Sequence, residues 1–137
     1  MSYQLADLVR LMACLRDQEH GCPWDRSQTY RSIVPFTLEE AYEVCDVIER
    51  GMFDELCAEL GDLLFQVVFY ARLAEEDGRF SLDDVIDAIV SKLLTRHPHV
   101  FPDATFQSFG DSEGASVQSI KQIWEAKKAE ERASRGQ

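Results

Sequence analysis

Residues 57–70 read CAELGDLLFQVVFY, the stretch that most constrains what this chain can fold into. It has the length and spacing of a helix, yet Glu59 and Asp62 stand three residues apart inside its most apolar part. On a helical wheel Glu55, Asp62 and Gln66 fall in one narrow sector beside Glu59, with Tyr70 just to one side. Leu56, Ala58, Leu60, Leu63, Leu64, Phe65, Val67, Val68 and Phe69 cover most of the remainder. A surface helix carries a broad polar face. A narrow acidic stripe between apolar flanks therefore predicts a helix that is largely buried, with the stripe turned inward.

The preceding segment, TLEEAYEVCDVIERG, repeats the arrangement and ends at Gly51. Glu40 and Glu43 share a face with Val44 and Val47, while Glu39, Asp46 and Arg50 lie together on another side. Two helices joined by a short turn pack antiparallel, which sets Glu40 and Glu43 opposite Glu59 and Asp62. Converging carboxylates repel, and each is costly to desolvate as an anion. Three compensations are open: protonation, pairing with Arg or Lys across the interface, or a divalent cation. All four donors are hard oxygens, and no Glu-x-x-His pair occurs, which counts against a di-iron carboxylate bundle. Such a set suits Mg²⁺, with Mn²⁺ as substitute, and Mg²⁺ commonly shares its coordination with phosphates.

The rest of the chain reads as helix too. Leu5, Leu8, Val9, Met12 and Leu15 recur at helical spacing, followed by a loop, HGCPWDRSQT. A short helical or irregular piece passes through Pro35, and the acid-bearing helix of the opening stretch is expected from about Asp54 to Glu76. Ser81 with Asp84 opens a fourth helix, whose apolar face holds Val85, Ile86, Ile89, Val90, Leu93 and Leu94 and which Pro98 stops. Residues 98–115 are expected as a loop, then a last helix at Val117, Ile120 and Trp124 that decays into a charged tail over about 126–137. No β-type alternation of useful length appears. The expected fold class is all-α, a bundle of four to five helices, and 137 residues suit a single domain spanning 1–137.

A net charge of -11 argues against a nucleic-acid polymer or an anionic membrane as partner. The N-terminus does not read as a signal peptide, and no apolar run reaches the length of a membrane span, so a cytoplasmic protein is expected. Cys14, Cys22, Cys45 and Cys57 form no CxxC pair and read as small buried hydrophobes; His20 with Cys22 lacks a second ligand pair for zinc.

Lys92 and Arg96 are one turn apart at the edge of the fourth helix's apolar face. They are either snorkelling or paired surface residues, or a phosphate clamp in which Arg is a fork and Lys a point charge. Trp24 in CPWD is either a plug over the core or a stacking platform for a base. His97 and His99 read as helix-end hydrogen-bonding residues, and Trp124 as an anchor for the last helix.

In order along the chain, GCPWDRSQTYRSIVPFTLEEAYEV, AELGDLLFQVVFYARLAEEDGRF and KLLTRHPHVF resemble the MazG nucleoside triphosphate pyrophosphohydrolases. The likeness runs from about residue 5 to 132, and it is closest to the N-terminal copy in bacterial members that carry two such domains. It implies the all-α NTP pyrophosphatase fold, assembly as a homodimer or larger homo-oligomer, and Mg²⁺-dependent hydrolysis of an NTP or dNTP to the monophosphate and pyrophosphate, in house-cleaning of nucleotide pools. Carried over by position, Glu40, Glu43, Glu59 and Asp62 match the metal-binding acids, and Lys92 and Arg96 match residues that hold the phosphates. N-terminal copies can be mainly structural, so a dimerisation or regulatory domain without efficient turnover is the alternative. The charged tail resembles the start of a connection to a second domain. Base and sugar preference cannot be read from these residues.

Overall fold

The computed structural model describes residues 2–111 and 116–136, and among these every regular element is helical. The all-α class expected from the sequence is what the chain adopts. The chain divides into two compact units between Leu82 and Asp83.

In the first unit, α1 (Leu5–Leu15) starts with a capping box in which the Gln4 backbone N–H donates to the Asp7 carboxylate at 2.8 Å. The expected loop that follows contains a short helix, α2 (Pro23–Ser27). Pro23 is its first residue, where proline's fixed φ and missing N–H both suit a helix start. α3 (Tyr30–Glu49) begins earlier than expected and passes through Pro35 without a break. Thr29 caps it: its side chain accepts from the Ser32 N–H at 3.2 Å, and the Ser32 hydroxyl accepts from the Thr29 N–H at 2.7 Å.

α3 ends at Gly51, whose φ of +68° places it in the left-handed region. The Gly51 N–H donates to the Ile48 carbonyl and the Met52 N–H to that of Val47, the paired bonds of a Schellman stop. A 3₁₀ turn (Phe53–Glu55) leads into α4 (Leu56–Glu76). α3 packs along α4, and α1 packs on α4 as well. Met12, Ile33, Val47, Val68, Phe69, Ala71, Leu73 and Ala74 form the core.

Burial along α4 is uneven, which corrects the expectation of a helix that is largely buried. Its second half, from Gln66 to Ala74, holds the buried positions, whereas Leu60, Leu64 and Val67 are exposed. The main elements packed on α4 are α3, α1 and the 3₁₀ turn, and they leave Leu60 and Leu64 in its first half uncovered. Cys45 and Cys57, expected to be buried, are exposed; Cys14 is exposed too, Cys22 half-buried, and all four are free thiols.

In the second unit, α5 (Leu82–Arg96) stops just before Pro98, as expected, with Ile86, Ile89 and Leu93 exposed on its apolar face. Phe101 then packs edge-on against Phe106, which lies in a 3₁₀ turn (Phe106–Ser108). The last four positions of the expected loop, 112–115, lie outside the described residues. Ser116 caps α6 (Val117–Ser134), which stays helical through most of the segment where a decaying tail was expected. Ala126, Lys127, Lys128, Ala129 and the glutamates after them are all good helix formers.

Candidate metal centre

Glu40 comes from the middle of α3, Glu59 and Asp62 from the first half of α4. One carboxylate oxygen from each lies within 4.8 Å of the other two. Glu40 and Glu59 are half-buried and Asp62 is exposed. Partial burial, followed by the charge of Asp62, pushes the carboxyl groups of both Glu40 and Glu59 above the ordinary glutamate value.

Glu43 stands one turn further along α3, half-buried and outside this group of three. Its charge nevertheless adds to the upward push on Glu40 and on Glu59. Glu39 is exposed, and its charge too pushes Glu40 upward, after those of Asp62 and Glu59. Neither α3 nor α4 brings a cation to the group. Arg50 is engaged by Asp46 at 3.0 Å and Glu55 at 3.6 Å, and among the described residues no salt bridge reaches Glu40, Glu59 or Asp62. Pairing across the helix interface, one of the three compensations open to crowded acids, is therefore not the one in place. A set of unneutralised, hard oxygen donors from two helices fits a divalent cation such as Mg²⁺ or Mn²⁺.

The polar stripe continues past the acids. One turn before Glu40 on α3, the Thr37 hydroxyl lies 2.9 Å from Gln66 Oε1 and 2.7 Å from the Tyr70 hydroxyl. The Gln66 and Tyr70 positions were legible on the wheel, whereas Thr37 was not singled out. Its only signal is its place three residues before Glu40 on the same face.

Trp24, at the start of α2, is half exposed, and its ring meets Phe36 edge-on at 5.5 Å. In the second unit, Arg96 is held by Glu131 of α6: Nε donates to Oε1 at 3.2 Å and Nη2 to Oε2. This bond, with Lys92 contributing less, draws the Glu131 carboxyl below the ordinary glutamate value. Lys92 is itself exposed. His97 Nδ1 lies 2.6 Å from the Leu93 carbonyl at the end of α5, the helix-end role expected, and its ring packs on Trp124 at 5.3 Å.

A family model described as the MazG nucleotide pyrophosphohydrolase domain matches residues 28–101, more than half of the chain and all of α3 and α4. The chain belongs to the MazG family. It is 50% identical over 134 residues to an Escherichia coli protein named nucleoside triphosphate pyrophosphohydrolase, covering 98% of this chain and 48% of that one. It is 43% identical over 129 residues to the Thermotoga maritima nucleoside triphosphate pyrophosphohydrolase/pyrophosphatase MazG, covering 94% and 47%. A Mycolicibacterium smegmatis nucleoside triphosphate pyrophosphohydrolase is 41% identical over 133 residues, covering 94% and 37%. The chain thus spans half or less of these relatives' length.

Proposed function

We propose that this chain is a nucleoside triphosphate pyrophosphohydrolase domain, which hydrolyses an NTP or dNTP to the monophosphate and pyrophosphate with Mg²⁺ and so clears unwanted nucleotides from the cytoplasmic pool. The observation that carries the reading is the convergence of Glu40, Glu59 and Asp62, three acids without a protein cation, inside the segment matched by the family model. Glu43 joins them as the fourth carboxylate of the set. When bound there, Mg²⁺ supplies a Lewis acid for a phosphoryl oxygen and lowers the pKa of a coordinated water. The carboxylates fix the ion's position, and whichever of them is not fully engaged accepts a proton from the attacking water.

Lys92 and Arg96 neutralise the charge that develops on the departing pyrophosphate. To do so Arg96 exchanges the Glu131 carboxylate for phosphate oxygens, a swap between two bidentate partners of one fork. The exposed face of Trp24 is suited to stack a base of any identity. The chain acts as a homodimer or larger homo-oligomer, a reading supported by the apolar side chains that α3, the 3₁₀ turn and α4 leave exposed, among them Leu38, Tyr42, Phe53 and Leu60.

Pyrophosphate release across a panel of NTPs and dNTPs tests the activity. With Mg²⁺, turnover is expected for the wild type and a loss of about 100-fold or more for Asp62→Ala and for Glu43→Ala. Variants that match the wild type would remove these acids from the site.

A further inference from the structure

Arg96 ends α5, and Glu131 lies in the last turn of α6. Their bond uses both oxygens of the carboxylate and the Nε–Nη2 edge of the guanidinium. An arginine fork takes phosphate oxygens with this same two-point geometry. Arg96 is not alone in acting on the carboxylate. The downward pull on Glu131 comes first from Arg96, then from the charges of Lys92 and Arg135. One carboxylate thus engages both members of the proposed phosphate clamp. While it is there, it fills the Arg96 fork and cancels one of the clamp's positive charges.

The helix that carries Glu131 is held lightly. No residue of α6 is buried as a whole. A second contact with the end of α5 comes from Trp124, which lies about two turns before Glu131 on the same face and meets the His97 ring at 5.3 Å. The Trp124 Nε1 atom is shut away from solvent there, with no hydrogen-bond partner among the described residues. An unsatisfied donor disfavours the docked position. An element with so few buried contacts opens locally at low free-energy cost.

We propose that the C-terminal half of α6 is an autoinhibitory strap: the Glu131 carboxylate occupies the Arg96 fork as an internal stand-in for phosphate, and an arriving polyphosphate binds by displacing it. The inference rests on Lys92 and Arg96 being the phosphate clamp. It makes substrate affinity a property of α6 as well as of the clamp. The fork is open only in the fraction of molecules where Glu131 has let go, and apparent affinity falls by that fraction. A partly exposed ion pair is worth little, so the effect is moderate in size.

Binding of inorganic pyrophosphate to the full chain, followed by calorimetry without added divalent metal, tests the strap apart from turnover. Glu131→Gln keeps the shape and removes the charge that holds the fork, and is expected to tighten binding about three- to tenfold. Glu125→Gln removes the same charge from an exposed position of α6 and is expected to change nothing. In the wild type, pyrophosphate should quicken amide hydrogen exchange in the last turns of α6. A purely structural ion pair gives a different result: Glu131→Gln loosens α6 but leaves pyrophosphate affinity unmoved or weaker, and that overturns the proposal. Equal tightening by Glu125→Gln overturns it too, since the effect would then be one of overall charge. Arg96→Ala separates the strap from the clamp, and is expected to lose most of the binding. Binding that survives Arg96→Ala unchanged, or that is absent from both wild type and Glu131→Gln, overturns the clamp itself and the strap with it.

Discussion

Arg16 is 8% exposed and uses its whole guanidinium within the first unit. Nη1 donates to the carbonyl oxygens of Asp25 at 2.6 Å and Gln28 at 3.2 Å, while Nε and Nη2 donate to Glu76 at 3.0 and 2.6 Å. The group lies 5.8 Å from the centre of the Phe69 ring. One side chain thus ties the end of α1 to α2 and to the last turn of α4. Arg16→Met, which keeps much of the stem, should cost roughly 3 kcal/mol in urea melts, because it strands two carbonyls and leaves the Glu76 carboxylate with Arg72 alone. The bond from Arg16, ahead of Arg72, holds the Glu76 carboxyl below the ordinary glutamate value of 4.5. A depressed carboxyl stabilises the fold above the unfolded pKa, and the contribution disappears as pH falls through the folded one. Glu76→Gln should therefore be less stable than wild type at pH 7, with the gap closing below the ordinary glutamate range. A gap that stays constant from neutral to strongly acidic pH would refute this. Nothing in the local sequence marked Arg16, because its partners lie 9, 12 and 60 residues away.

At the level of elements, the stops were easier to read than the starts. Gly51 and Pro98 end helices for reasons written in the residues themselves, a left-handed backbone and a missing N–H. The start of α3 was obscured by Pro35, which reads as a breaker, although the Thr29–Ser32 capping box outweighs it. Pro35 leaves the Arg31 carbonyl without its helical donor, so Pro35→Ala should raise stability by about 1–3 kcal/mol. Gly21 is a different case. A Cβ there would sit 2.4 Å from the Leu15 carbonyl oxygen and 2.5 Å from that of Asp17. Gly21→Ala is expected to cost roughly 2 kcal/mol in the same melts, since backbone and not a movable side chain must give way.

For the whole molecule, exposed apolar surface is the dominant fact. Leu38 is 68% exposed, Tyr42 67% and Phe53 63%, with Leu60, Leu64 and Val67 also uncovered. Light scattering on a size-exclusion column should report a dimer or larger assembly, shifted toward monomer by Leu38→Lys with Tyr42→Lys. A monomeric wild type at tens of micromolar would refute the assembly. Because a ligand that binds only the folded state stabilises it, saturating Mg²⁺ should raise the melting temperature, by an amount corresponding to about 2.7 kcal/mol at a hundred times its dissociation constant. Asp62→Ala should lose most of that rise. No helix among the described residues is long and apolar enough to cross a membrane.

The helical class, the paired acids on consecutive helices and their oxygen-only character were determined by the sequence alone, because periodicity, turn chemistry and ligand type are local properties. The family could be recognised for the same reason, from short ordered motifs. Only the tertiary structure decided that Glu40, Glu59 and Asp62 are the three acids that meet, that α4 is buried in one half and open in the other, and that Arg96 faces Glu131. Helix register and neighbour identity set those outcomes. They depend on contacts between residues far apart in the chain, which no window of sequence contains.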